Sequence, residues 1–114
     1  MTTEREQLEL AAKACGIKLH QWVAKGCWSD DPSIEGFQTA PPDYDRWNPA
    51  HDDGDCARME AALGIELTWF FDRVDALACD VAPVVEYFAD HNGDKNAARR
   101  AASVVVASEI GRLK

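Results

Sequence analysis

The stretch that decides the fold runs from residue 52 to residue 70 and reads DDGDCARMEAALGIELTWF. Either of its first two aspartates can cap a helix, and acidic side chains suit the positive end of the helix dipole. Apolar side chains then recur at helical spacing, at Cys56, Met59 and Leu63. Gly64 can adopt the left-handed conformation that ends a helix, and from Ile65 onward apolar and polar residues alternate as in a strand. The stretch therefore predicts a helix, a glycine stop and a strand.

The N-terminal segment has the same order of signals. Thr3 followed by Glu6 matches the capping box of a helix start, apolar residues continue at helical spacing to Cys15, and Gly16 supplies the stop. Residues 17–23 then begin by alternating apolar and polar side chains, which predicts a strand. The two segments read ACGIKL and ALGIEL around their glycines. We interpret this similarity as two helix–glycine–strand junctions that follow the same capping rule, rather than as an internal duplication of the sequence.

The remaining segments complete an α+β pattern. Residues 24–50 form a long acidic loop region with several prolines, in which one or two short strands can form but through which no helix can run. Residues 73–79 and 84–88 read as strands, and a last helix with small residues along one face extends to about residue 111. We predict one α+β domain spanning residues 1–114, in which three helices pack on a small, mainly antiparallel sheet of three to five strands.

The N-terminus and the cysteines indicate the compartment. The first six residues are polar and acidic, unlike a secretory signal, and no run approaches the roughly 18 apolar residues of a membrane span. The four cysteines, at positions 15, 27, 56 and 79, never form a Cys-x-x-Cys pair. We therefore expect a cytoplasmic protein with reduced thiols and no cofactor. Cys15 and Cys56 should act as small hydrophobes in its core.

The negative charge of the chain is concentrated in one segment. The whole chain has a net charge of −8, and residues 30–55 contain eight acidic residues against Arg46 alone, so this segment accounts for −7. Such a surface repels nucleic acid and attracts basic partners. Aromatic residues lie between the charges, at Trp28, Phe37, Tyr44 and Trp47. We predict a surface that binds a partner protein, made of Trp28, Asp30, Asp31, Asp43, Tyr44 and Asp45. The alternative is a solvated loop that only aids solubility.

A dense polar cluster surrounds the predicted start of the second helix. Its candidate binding residues are Trp47, Asn48, Asp52, Asp53, Asp55 and Arg58. In one interpretation Asp52 and Asp55 form a capping pair and Trp47 packs just before the helix. In the other, the carboxylates and His51 bind a cation, a basic side chain or an amine. The spacing of these residues matches neither a calcium loop nor a zinc site, so we predict no metal.

Arg99 and Arg100 form the main basic patch of the chain. They lie in the first turns of the last helix, where a cation is unfavourable unless it has a partner. That partner can be a neighbouring aspartate, the acidic cluster of the second helix, or a small anionic ligand. We favour internal pairing, because charged pairs in proteins are mostly structural.

Short motifs in these segments carry a family resemblance. They read WNP at 47–49, DDGD at 52–55, LGI at 63–65, AARRA at 97–101 and EIGR at 109–112. In these residues the chain resembles a family of small phage and prophage proteins, the phage α-β-α sandwich domain family. It departs from the family pattern in its longer acidic loop and in Cys56, where a plain alanine is expected. The resemblance implies a small sheet covered by helices and a protein that acts in the bacterial host cell, and it implies no activity.

The sequence favours a function without catalysis, because it contains no nucleotide-binding motif and no nucleophile elbow. We predict a phage accessory protein that binds and inhibits a bacterial host factor, such as a component of a defence system. One alternative is a protein that sequesters a nucleotide signal, with Trp47 stacking on the base and Arg99 or Arg100 on the phosphate. Another is a metal-dependent enzyme that uses His51 and the aspartates. A homo-oligomer is compatible with each of them.

Overall fold

The computed structural model describes residues 3–23, 35–41 and 45–114. Within this part of the chain the α-helices are α1 (Glu4–Cys15), α2 (Asp53–Leu63) and α3 (Lys95–Arg112). The strands are β1 (Leu19–Val23), β2 (Gly36–Thr39), β3 (Arg46–Trp47), β4 (Glu66–Trp69), β5 (Arg73–Leu77) and β6 (Val84–Tyr87). A 3-10 turn follows β6 at Phe88–His91. None of the helices described is long and apolar enough to cross a membrane.

The strands form two antiparallel sheets of three strands each, in the orders β1-β2-β3 and β4-β5-β6. The predicted α+β class, the three helices and the antiparallel pairing are confirmed. The short strands β2 and β3 lie in the loop region for which one or two strands were predicted. The described strands number six and form two sheets, whereas one sheet of three to five strands was predicted. Alternation of side chains indicates a strand but does not identify its neighbours.

Each helix start is capped by a side chain from a nearby residue. The caps are hydrogen bonds from Glu6 N–H to Thr3 Oγ1 at 3.2 Å, from Asp55 N–H to Asp52 Oδ1 at 2.8 Å, and from Ala97 N–H to Asp94 Oδ1 at 3.0 Å. Gly16 and Gly64 follow α1 and α2 with φ angles of 74° and 66°, a conformation that glycine adopts without strain. The starts and stops predicted for these two helices are confirmed.

Helix α3 packs against more elements than any other part of the described fold. It contacts α1 and α2, and also β5 and β6 of the second sheet. The main core draws residues from all three helices and both sheets, among them Leu8, Phe37, Met59, Ala76 and Val106. Ala98, Ala102 and Ala107 are fully buried on α3, and their small side chains let its neighbours approach closely.

The second sheet has one covered face and one exposed face. On β5, Val74 and Ala76 are buried whereas Arg73, Asp75 and Leu77 are not, as the two-residue period of a strand requires. Because α3 packs on β5 and β6, it covers the face that carries the buried pair. The opposite face, which we call the outer face, carries Glu66, Thr68, Phe70, Arg73, Asp75, Leu77, Val85 and Tyr87.

Candidate functional site

The carboxylates of Asp52 and Asp55 at the start of α2 make hydrogen bonds and ion pairs with neighbouring backbone groups and arginines. Asp55 is 6% exposed. Its Oδ2 accepts a hydrogen bond from the backbone N–H of Asn48 at 3.0 Å, and its Oδ1 accepts one from Arg58 at 2.6 Å, which raises the pKa of Arg58. Asp52 caps the helix and pairs with Arg46 at 3.6 Å. The predicted capping role of Asp52 is confirmed, but the side chain of Asp55 reaches back to Asn48 rather than to Asp52.

Trp47 and Asn48, which precede the aspartates of α2 in the chain, are both buried in the protein interior. Trp47 is 6% exposed and belongs to the main hydrophobic core, and Asn48 is fully buried. The side-chain amide of Asn48 donates a hydrogen bond to the Glu35 carbonyl. Packing of Trp47 just before the helix agrees with the staple interpretation. Its burial leaves the ring without the open face that stacking on a nucleotide base requires, so the nucleotide alternative receives no support here.

Arg99 reaches a glutamate that the sequence analysis did not single out. Its Nε and Nη2 both donate to the carboxylate of Glu60, which is 8% exposed. These hydrogen bonds raise the pKa of Arg99. The same carboxylate accepts hydrogen bonds from the Ser103 hydroxyl and from the Cys56 thiol, the latter at 3.5 Å. The sequence does contain a sign of this buried carboxylate. Glu60 lies four residues after Cys56, so it falls on the apolar face of α2.

Arg100 also has internal partners. It donates to the Ala50 carbonyl at 3.0 Å and to Asp53 Oδ1 at 2.6 Å. The acidic cluster of α2 is therefore the partner of Arg100, which is one of the predicted alternatives. Internal pairing accounts for both arginines, and a small anionic ligand is not needed to explain either of them.

The His51 side chain pairs with Glu4 of α1, which is not one of the aspartates with which it was grouped. Its Nε2 is 2.7 Å from Oε1 of Glu4 in α1. Among the residues that the structure describes, no group of three or more His, Cys, Asp or Glu side chains could hold a metal ion. The alternative of a metal-dependent enzyme at His51 and the aspartates therefore has no assembled site in this part of the fold.

The predicted partner surface falls mostly on residues that the structure does not describe. Trp28, Asp30, Asp31, Asp43 and Tyr44 lie outside the described residues, and Asp45 is exposed. Two of the four proposed aromatic anchors are core residues instead, since Phe37 and Trp47 are 5% and 6% exposed. The charge of −7 calculated for residues 30–55 also overstates the negative charge of this surface. Arg58 and Arg100, which lie outside the segment, form ion pairs with Asp55 and Asp53.

A groove of about 700 Å³ opens beside the start of α2. Its charged lining residues are Lys18, Arg46 and Arg58 together with Asp45, Asp52 and Asp55. The numbers of cationic and acidic side chains are equal, and Asp52 and Asp55 already pair with arginines of the same groove. The described residues that line the groove therefore carry no net charge with which to select a charged ligand.

The described cysteines are free thiols in three different environments. Cys56 is fully buried, Cys15 is partly buried rather than buried as predicted, and Cys79 is exposed. Cys27 lies outside the described residues. Burial raises the pKa of Cys15. Burial, together with the nearby carboxylate of Glu60, raises the pKa of Cys56 from 9.0 to about 12.

We expect a thiol-alkylating reagent at mildly alkaline pH to modify Cys79 quickly and Cys56 very slowly in the folded protein, because the thiolate is the reactive form. The neutral thiol of Cys56 stabilises the fold below pH 9, and this contribution is lost as the pH rises from 9.0 towards 12. Peptide mass spectrometry at timed intervals measures the two rates, with unfolded protein in urea as the control. Equal rates for Cys56 and Cys79 in the folded protein would contradict the buried environment.

The outer face of the second sheet is a surface that the sequence analysis missed. Phe71, in the turn between β4 and β5, is 94% exposed, and Phe70, Leu77, Val85 and Tyr87 are 40–46% exposed. A recognisable signal was the run Trp69-Phe70-Phe71, since three consecutive aromatic residues at a strand end cannot all point into one core. Six of the seven exposed large hydrophobic side chains among the described residues therefore lie in this sheet or in its β4–β5 turn.

Comparison of the chain with protein-family models, with curated proteins and with solved structures gave no match. The resemblance to phage proteins consequently stays an expectation drawn from the sequence motifs.

Proposed function

We propose that this protein is a non-enzymatic binding protein that captures and inhibits a bacterial host factor, and that its contact surface is the outer face of the second sheet together with Phe71 in the adjoining turn. The observation that carries this proposal is the exposed group of Phe70, Phe71, Leu77, Val85 and Tyr87. Exposed aromatic residues are enriched at protein interaction sites, where they supply most of the binding energy. The bacterial host is the part of the proposal that rests on the resemblance to phage proteins.

The charge around the outer face indicates the chemistry of the partner. Arg73 is engaged by Asp72 at 2.9 Å and by Asp75 at 3.7 Å. Its guanidinium also lies 4.1 Å from the centre of the Phe70 ring. These contacts leave the face with a net negative charge, to which the exposed Glu66 contributes, on a chain with a net charge of −8. A partner surface that combines apolar and basic side chains is complementary to this arrangement.

We expect Phe71→Ser and Tyr87→Thr each to weaken partner binding by about 30-fold, since truncating an interface anchor commonly costs about 2 kcal/mol or more. Both side chains are exposed, so the melting temperature should stay close to that of the wild type. The matched control is Leu113→Ser, because Leu113 is 66% exposed and lies at the far end of α3. Capture from a bacterial lysate with quantitative mass spectrometry, followed by affinity measurement on the purified partner, compares the variants.

The supporting result is one protein that is lost with both outer-face variants and retained with Leu113→Ser. A protein captured equally by all variants would place the contact elsewhere, and the partner surface predicted at residues 28–45 would then be the next region to test. A wild-type dimer that Tyr87→Thr converts to a monomer would show that the face joins two copies of this chain, and it would overturn the proposal of a host partner.

A further inference from the structure

A second groove runs along the N-terminal half of α3, away from the outer face. Its volume is about 390 Å³. Its floor is an apolar stripe of α3 made by Ala97, Ala101, Val104 and Val105, whose spacing places them on one face of the helix. At 1.5 Å per residue this stripe is roughly 12 Å long. The groove is therefore long enough for a short extended molecule with a hydrocarbon body.

The walls of this second groove carry two pairs, each of one histidine and one glutamate. His51 Nε2 is 2.7 Å from Glu4 Oε1, and His91 Nε2 is 2.8 Å from Glu86 Oε1. Each imidazole makes a single hydrogen bond, to Oε1 of its glutamate. In the described part of the chain no hydrogen bond is made to Oε2 of either glutamate. The two pairs are separate, since no three such side chains gather closely enough to hold a metal there.

With both histidines neutral, the described residues that line the second groove carry a net negative charge. Arg100 also lines it, but the carboxylate of Asp53 and the carbonyl of Ala50 already compensate its guanidinium. The carboxylates of Glu4 and Glu86 therefore determine the sign, on a chain whose net charge is −8. An anionic ligand would be repelled, whereas a cation that can donate hydrogen bonds would be attracted.

We propose that the second groove binds an aliphatic diamine, with one ammonium group at each His–Glu pair and the methylene chain on the α3 floor. An ammonium group donates up to three hydrogen bonds and accepts none, which suits the partly exposed carboxylates of Glu4 and Glu86. Hydrogen bonds between two charged groups are stronger than neutral ones. The alanine and valine floor offers no polar group to the ligand, so it suits methylene groups and no other part of the molecule.

Titration calorimetry with linear diamines of three to eight carbons tests this proposal near neutral pH, with butylamine as the monoamine and butanediol as the neutral probe. We expect one chain length to bind best, and to bind at least about tenfold more tightly than butylamine, since only a diamine makes both charge-assisted contacts. Glu4→Gln and Glu86→Gln should each reduce the affinity for that diamine to the level of the monoamine. Ala101→Leu should block binding by filling the floor.

The control variant is Glu9→Gln, which removes the same charge from an exposed position of α1 outside the groove. We expect it to change diamine affinity by less than about twofold, because screened surface charges contribute little. Equal affinity for diamine and monoamine, an equal loss with Glu9→Gln, or no binding heat at millimolar diamine would each overturn the proposal. These outcomes are independent of the host-factor proposal, because the second groove and the outer face share no residue.

Discussion

Replacing Glu60 with Gln is expected to lower the free energy of unfolding by about 3–5 kcal/mol, because it leaves the charge of Arg99 uncompensated in the protein interior. The side chains of Glu60 and Arg99 are 10% and 18% exposed. Glutamine keeps the shape of the side chain and an acceptor for the Ser103 hydroxyl, so the loss reports mainly on the missing charge. Urea unfolding followed by tryptophan fluorescence measures the change.

The control for this prediction is Glu109→Gln. Glu109 pairs with Arg112 at 3.2 Å, but the two side chains are 48% and 43% exposed, so we expect a loss below about 1 kcal/mol. Adding Arg99→Met to Glu60→Gln should recover much of the lost stability, because the unpaired charge is then removed. If Glu60→Gln were no more costly than Glu109→Gln, the Glu60–Arg99 pair would not be buried in solution.

Gly111→Ala is expected to lower the free energy of unfolding by about 3 kcal/mol or more, at or above the upper end of the usual cost of overpacking. A Cβ at Gly111 would lie 2.0 Å from the carbonyl oxygen of Leu10 and 2.7 Å from its carbonyl carbon. These are backbone atoms of α1, so relief requires the whole helix to move away from α3. Elsewhere in a helix the same substitution stabilises by up to about 1 kcal/mol, which makes the sign of the change informative. Thermal and urea unfolding both report it.

Gly54→Ala is the matched control for this second prediction. The nearest atoms to a Cβ at Gly54 are the ends of the Asp52 and Arg58 side chains, at 3.2 Å and 3.3 Å, and these can shift. We expect a change within about 1 kcal/mol. Equal tolerance of alanine at Gly54 and Gly111 would mean that α1 and α3 do not approach as closely as the structure indicates.

The elements of the fold could be predicted because their signals are local. The caps at Thr3 and Asp52 use N–H groups three residues away, and the stops at Gly16 and Gly64 depend only on the φ angle of one residue. Gly111 shows the limit of such signals. The last helix ends at Arg112, close to the predicted end near residue 111, but the sequence gives no sign that Gly111 lies against the backbone of α1.

The candidate site was predicted less completely, because its residues do not reveal their partners. The aspartates at the start of α2 were identified, but Phe37 and Trp47 were expected at a partner surface and lie in the core. Neither the outer face nor Glu60 was foreseen. An exposed aromatic residue and a buried one look alike in a sequence, because the difference depends on which helix covers which face of the sheet.

The sequence by itself determined the α+β class, the helix starts and stops, and most of the strands, since capping and alternation act within a few residues of the chain. The tertiary structure alone decided how the charges pair. Glu60 meets Arg99 across 39 residues of sequence, and Asp53 meets Arg100 across 47, because α3 packs against α2. The division of the strands into two sheets, the exposure of the outer face and the apolar floor of the second groove likewise depend on where α3 lies. No local sequence pattern predicts the position of α3, because that position results from the burial of side chains from the whole chain.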